Sequence, residues 1–331
     1  MQKPLIPPKN SAQTGRERQS DKRTDTNFMG AARSHPEAKV LPLFDLRIPI
    51  VPAADGAGAR LRWLSTFDVQ AIAKPSEFVF LGEEQGGAPV FTCNFQPVQT
   101  AQAAAALEDM KPLVDLRSLA MQGVLGEAEL LVASQARAIM SWHGVHRCCS
   151  RCGAQIRSHD GGWRRHCSAC GLDTYPRMDP AVIMLITRNG RCLLGREHRF
   201  PDKLYSTLAG YIEPGDDIEH AVRREVKEET GVDVGQVRYV GSQPWPFPHS
   251  LMVGCWGEAL SEDLNLSPVE IADARWFTRE EAASMLAKSH PEGFEVPPAI
   301  SIAHTLIQSF VDGSLGGQTD PAAASLPGGG G

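Results

Sequence analysis

From Gly210 to Val232 the chain reads Gly-Tyr-Ile-Glu-Pro-Gly-Asp-Asp-Ile-Glu-His-Ala-Val-Arg-Arg-Glu-Val-Lys-Glu-Glu-Thr-Gly-Val. Asp216 or Asp217 can cap a helix that begins near Ile218, and Gly231 can end it in the left-handed conformation. Ile218, Ala221 and Val222 mark the inward stripe of the first turns. At about 100° per residue, that stripe runs on into Glu225, Glu228 and Glu229, which share an arc of about 100°. Carboxylates in such a place repel one another and lose hydration, unless cations compensate them. The pattern therefore predicts a divalent-metal site, and all-oxygen ligation points to Mg²⁺ or Mn²⁺, partners of phosphate substrates. A solvated helix held by an Arg224–Glu228 pair is the plainer alternative. The Gly-rich lead-in and the full spacing favour metal.

The second constraint is thiol spacing. Cys149-Ser-Arg-Cys152 and Cys167-Ser-Ala-Cys170 are two C-x-x-C knuckles 14 residues apart, each followed by glycine (Gly153, Gly171). Four thiolates so spaced suit one structural Zn²⁺ whose closed coordination leaves no position for a reacting water. Cys148 stands outside the register, and Cys93, Cys192 and Cys255 read as small buried hydrophobes. Arg147, Arg151, Arg157, Arg164 and Arg165 make this ribbon basic. Bracing between domains is the expected role, with nucleic-acid contact as the alternative.

The 331 residues allow about two domains. A net charge of −6 argues against wholesale coating of nucleic acid or anionic membrane. No run of about 18 apolar residues is present to span a bilayer, and the first residues lack a signal-peptide stretch. Eight cysteines in so long a chain fit a reducing cytoplasm better than a disulfide scaffold. Residues 1–39 are polar and read as a disordered arm, and 313–331 as a Gly/Ala/Ser/Pro tail. Between them, 40–143 is expected to form a small α+β domain, 144–176 the ribbon and 177–312 the domain carrying the carboxylate helix. Within the first, strands are expected at Arg60–Leu64, Phe78–Leu81 and Pro89–Phe95, with helices over Thr100–Met110 and about Gly126–His143. Gln135 interrupts the apolar stripe of the latter. Ala181–Ile186 reads as a buried strand and Arg191–Leu194 as its hairpin partner across Asn189-Gly190. Two further helices are expected around 217–230 and 297–312.

The Gly210–Val232 segment resembles the Nudix box, matching at Gly210, Arg224, Glu225, Val226, Glu228, Glu229, Gly231 and Val232. Asp216 stands where the box has glutamate. Beyond it stands Ser242-Gln-Pro-Trp-Pro-Phe-Pro-His-Ser250, whose alternating prolines are expected to impose an extended, rigid strand. The string resembles the proline array of the NADH pyrophosphatase branch, which also carries a four-cysteine zinc ribbon. The resemblance spans roughly Lys111–Phe310. It implies an α+β fold, an α/β/α Nudix sandwich with a mixed sheet, and hydrolysis of NADH or NAD⁺ to nicotinamide mononucleotide and AMP. Removal of NAD caps from RNA 5′ ends is the second reading. A catalytically silent module whose ribbon recruits a partner is the third, and the intact glutamate set argues against it.

Carried over position by position, Glu225, Glu229 and Glu270 resemble the ligands of catalytic Mg²⁺ or Mn²⁺, joined by the Ala209 carbonyl. Glu228 or Glu225 would be the base, and Arg224 would orient a neighbouring glutamate. Tyr211 and Tyr175 resemble base-stacking groups, and Gln243, Pro244, Trp245, Pro246, Phe247, Pro248, His249 and Ser250 line the substrate pocket. His249 alone reads more simply as a surface-loop residue. Lys111 and Ala303 resemble minor substrate contacts. Gly162 stands where some relatives place an acidic residue. Homodimerisation is implied by the resemblance alone.

Overall fold

The computed structural model describes residues 16–315, except 55, 57, 73, 74, 76, 97–109 and 111. Lys111 and the expected helix over Thr100–Met110, its last residue apart, therefore lie outside the described residues. The chain divides into two compact units.

The first unit opens with β1 (Arg16–Glu17) and α1 (Thr26–Ser34), then β2 (Lys39–Phe44), β3 (Ile48–Pro52), β4 (Ala59–Leu61), β5 (Leu64–Ser65), α2 (Thr66–Ile72), β6 (Phe78–Glu84) and β7 (Pro89–Phe95). After β8 (Leu113–Val114) come α3 (Leu116–Gln122) and α4 (Glu127–Val145). The ribbon follows as β9 (Arg157–His159), β10 (Arg164–His166) and β11 (Asp173–Thr174). The main sheet has the order β1-β6-β7-β2-β5, with β2 parallel to β7 and the other pairs antiparallel. The α4 stripe of Val132, Ala133, Ala136, Ile139, Met140 and Trp142 is buried against Leu41, Leu43, Val79, Leu81 and Val90.

Two expectations for this unit change. Residues 16–39 are not a structureless arm. β1 pairs with β6 in the register Arg16↔Glu84 and Glu17↔Glu83, and Asp25 caps α1 through Asn27 N and Phe28 N. Tertiary partners hold this polar segment. The Arg23 guanidinium lies 4.2 Å from the Trp163 ring centroid, and Met29 and Ala32 enter the core. The single strand expected at Arg60–Leu64 is instead split into β4 and β5, which pair with β3 and β2 respectively.

The second unit holds β12 (Asp179–Arg188), β13 (Arg191–Glu197), β14 (Leu208–Tyr211), α5 (Ile218–Thr230), β15 (Val234–Trp245), β16 (Ser250–Ala259), β17 (Ile271–Thr278), α6 (Arg279–Leu286) and α7 (Ile302–Val311). Its sheet runs β15-β16-β12-β13-β17, with β14 also on β12. Side chains alternate along a strand, and β12 uses both faces. Val182, Met184 and Ile186 pack with α5 residues Ala221, Val222 and Val226, whereas Ile183 and Leu185 pack with Met285 of α6 and Leu306 of α7. Helices thus cover both faces of the sheet in an α/β/α sandwich, and the chain as a whole is α+β. Asn189 and Gly190, both at positive φ, turn β12 into β13 as the Asn-Gly pair predicts. Leu315 is buried in this core, so its ordered part reaches just past the expected tail boundary.

Candidate active site

Asp217 caps α5 through His220 N at 2.6 Å, and Gly231 closes it at φ +76°. The helix thereby presents Glu225, Glu228 and Glu229 to a cavity of about 570 Å³, whose walls also include Glu197, Ala209, Gly210, Tyr211, Arg224 and Glu270. Sequence reasoning missed Glu197, which ends β13 and carries no local signal of its place.

The carboxylates differ in what holds them. Glu229 is 7% exposed and its Oε2 is buried without a hydrogen-bond partner. Burial pushes its carboxyl up to about 8, with Glu225, Glu270, Glu197 and Glu228 adding repulsion. Burial also raises Glu225, although Arg224 Nη1 donates to its Oε1 at 2.8 Å. A Cβ built on Gly210 would lie 1.9 Å from Glu225 Cδ, so this glycine makes the room in which the carboxylate sits. Glu228 is more exposed, with its side chain 55% accessible, and accepts from Arg224 Nη1 at 3.2 Å.

Arg224 links the set. Its Nη2 donates to Asp216 Oδ2 at 2.9 Å and to the Tyr211 carbonyl at 2.9 Å. Asp216 also pairs with His220 Nδ1 at 2.6 Å and accepts from Glu213 N at 3.2 Å. Arg224 first, then His220, holds the Asp216 carboxyl down at about 2. Asp216 is therefore a clamp for Arg224, and its two partners hold it in the charged form.

The orphaned oxygen of Glu229 and the glycine cradle of Glu225 fit a divalent cation. Hard carboxylate oxygens are its preferred donors, and it would relieve the desolvation and repulsion that raise both groups.

The remaining expected residues fall in separate places. Tyr211 is exposed on the cavity wall. Gln243 spends its amide on the start of α7, donating to Ile300 O at 2.7 Å and accepting from Ile302 N at 2.8 Å. Ala303 is 1% exposed, so its side chain belongs to the core and not to a cavity wall. Residues 244–250 fold with the first unit. The array is not extended throughout: β15 ends at Trp245, and residues 246–249 form the turn that joins it to β16. Trp245, His249 and the exposed Pro244 line a cavity of that unit with Pro246 and Ser250, and Phe247 packs on its core. Pro248 is exposed, and so is Tyr175 just beyond β11.

In the ribbon, the four sulfurs of Cys149, Cys152, Cys167 and Cys170 lie within 4.8 Å of one another. The closest separations are 3.5 Å for Cys149–Cys170 and 3.5 Å for Cys152–Cys167. A tetrahedron of Zn–S bonds has sulfur–sulfur edges of about 3.8 Å, so the cluster is compatible with zinc. The two knuckles repeat one turn: Gly153 N donates to Cys149 O at 2.9 Å and Gly171 N to Cys167 O at 2.8 Å, both glycines at positive φ. Cys148 is exposed, and burial pushes up the thiols of Cys93, Cys192 and Cys255. At Gly162, φ is +97° and a Cβ would meet Val79 Cγ2 at 2.7 Å, so no acidic side chain fits there.

Comparisons with known proteins match two stretches of the chain. Residues 177–298 match the NUDIX domain, and 39–142 match the NADH pyrophosphatase-like rudimentary NUDIX domain. The NAD-capped RNA hydrolase NUDT12 of Macaca fascicularis is 37% identical over 333 residues, covering 89% of this chain and 71% of that protein. The NAD-capped RNA hydrolase NudC of Stutzerimonas stutzeri is 41% identical over 181 residues, covering 55% of this chain and 62% of its own. Among solved structures, a NUDIX hydrolase from Nitrosomonas europaea aligns with a TM-score of 0.41 at 19% identity, over 50% of this chain and 90% of its own. The chain is a hydrolase of the Nudix family, and belongs to the branch that joins a rudimentary, NADH pyrophosphatase-like Nudix domain to a full one.

Proposed function

We propose that this chain hydrolyses the pyrophosphate bond of NADH or NAD⁺ to nicotinamide mononucleotide and AMP. The observation that carries the reading is Glu229, a buried carboxylate with an unpartnered oxygen on the wall of a cavity it shares with Glu225 and Glu270. Glu225, Glu229, Glu270 and the Ala209 carbonyl would hold Mg²⁺ or Mn²⁺. When bound, the metal neutralises the polyanionic pyrophosphate and acidifies a water. Glu225 is enclosed over Gly210 and tied to Arg224, so the better exposed Glu228 is the favoured proton acceptor. Arg224 positions these glutamates from the Asp216 clamp. Tyr211 stacks on a base of the substrate, and Tyr175 has the same role by resemblance. Residues 244–250 supply a binding wall, while Gln243 braces α7.

The four cysteines would hold one structural Zn²⁺. Cysteine usage favours the cytoplasm, and among the described residues no helix is long and apolar enough to cross a membrane. Resemblance favours a homodimer; sedimentation as a monomer at micromolar concentration would refute that.

The relatives' names favour NAD-capped RNA as a second substrate. The first assay is AMP release from NADH with Mn²⁺, expected in the full chain; no AMP would overturn the reading. Turnover of NADH and of NAD-capped RNA at two salt concentrations then ranks the substrates, because RNA contacts weaken with salt.

A further inference from the structure

A second cavity, of about 880 Å³, lies wholly within the first unit. Arg16, Arg18, Gln135, Trp163 and Trp245 are among its lining residues. All three guanidinium nitrogens of Arg16 are buried without a hydrogen-bond partner, and so are both amide atoms of Gln135. Burying a cation without hydrogen bonds is costly, and burying an unpaired amide costs as well, so a fold that places both on one cavity wall is shaped for a partner that supplies them. Burial lowers the Arg16 guanidinium to about 10, and Glu84, opposite it in the sheet, offsets only part of this. Three arginines (Arg16, Arg18, Arg177) line the cavity against one carboxylate, Glu17, which strand alternation turns away from Arg16.

The position of Arg16 is built in. Gly82, at φ +127°, lets β1 approach so closely that a Cβ there would lie 2.3 Å from Glu17 O. The unsatisfied groups define the ligand: an anion for Arg16, a planar donor–acceptor edge for Gln135, and a flat ring for a wall that carries two indoles.

The geometry points to this cavity as a binding site for a nucleoside 5′-monophosphate, with Arg16 on the phosphate and Gln135 on the base edge. The ligand is either a free nucleotide or the 5′ end of an RNA. The inference shares with the proposed reaction only the role of residues 244–250 as a ligand wall, and it needs neither metal nor Glu225 and Glu229.

The test is calorimetric titration of the full chain without added Mg²⁺ or Mn²⁺ and without chelator, so that the cysteine centre is undisturbed. AMP should bind wild type and the Glu229→Gln variant alike, whether or not NADH is ever hydrolysed. Arg16→Met should weaken AMP at least about tenfold, Arg16→Lys should recover part of that loss, and Gln135→Leu should weaken AMP more than inorganic phosphate. Removing an unpaired buried cation should also raise the melting temperature of the ligand-free protein, which loss of a structural arginine would lower. A 5′-phosphorylated RNA that competes with AMP assigns the site to RNA ends; one that does not assigns it to free nucleotide. Absence of AMP binding to wild type, or unchanged binding by Arg16→Met and Gln135→Leu together, overturns the inference.

Discussion

Both Nudix-matching regions of this chain contain a helix whose apolar stripe begins alike and ends differently. In α4 the stripe runs from Val132 through Ala136 to Trp142 without a carboxylate; Glu127 and Glu129 stay in the first turn, where Glu129 accepts from Leu61 N at 3.1 Å. In α5 the stripe of Ala221, Val222 and Val226 passes into Glu225 and Glu229. One helix uses its whole buried face to stabilise its unit. The other gives up part of that face to groups that the fold alone cannot satisfy. The difference between scaffold and site lies in which residues complete the stripe.

The strongest way to break this contrast is to remove the unsatisfied charge. Glu229→Gln should lower kcat by about a thousandfold or more while the chain still folds, since the amide fills the same space without the buried charge. Near-normal turnover at saturating Mg²⁺ would take Glu229 out of the site. The reverse experiment puts a carboxylate where none is prepared for. Ala136→Glu should destabilise the first unit by about 3–5 kcal/mol in urea denaturation, because Ala136 is wholly buried among apolar side chains that offer the charge no partner. A loss below about 1 kcal/mol would mean that carboxylates on a buried stripe signify less than we infer.

A third test uses pH. The Glu229 carboxyl stands near 8 in the fold, against 4.5 for the ordinary group, so the folded protein holds this proton more tightly than the unfolded chain. The resulting stability is complete below about pH 4.5 and is lost as pH rises through 8. Without divalent metal, the melting temperature of the second unit should therefore fall between pH 5 and 8, with Glu225 acting in the same direction. Mn²⁺ should flatten the slope, and Glu229→Gln should remove most of it. Asp216 is lowered, so its contribution is lost only as pH falls toward 2, outside that window.

Residues whose partners are close in sequence were legible without coordinates. The carboxylate helix, its cap and its Gly231 stop follow from a 3.6-residue period, and the cysteine knuckles from their spacing. Strand β7 and the β12–β13 hairpin follow from apolar runs and one Asn-Gly turn. What stayed hidden depends on distant partners. The polar residues 16–34 are ordered by Gly82, Glu83 and Trp163, all far along the chain, and neither composition nor period announces such contacts. Glu197 reaches the cavity because β13 ends there, and Gln243 turns out to brace a helix start almost 60 positions later. The proline array misled in shape, since the turn in its second half is set by the β15–β16 connection.

The smallest expected effect concerns the position where this chain departs from the box. Asp216 already satisfies both oxygens, one on His220 and the other on Arg224 and Glu213 N, and it remains ionised. Asp216→Glu adds one methylene to a carboxylate that is 8% accessible, so the longer arm must shift outward or bend to keep Arg224. Either adjustment leaves the charge opposite Arg224, and kcat should change by less than about threefold. Asp216→Asn removes the charge, and should release Arg224 from its clamp and cost about tenfold. If the Glu variant is as slow as the Asn variant, side-chain length rather than charge holds Arg224 in place, and the contrast between a satisfied and an unsatisfied carboxylate must be redrawn in terms of reach.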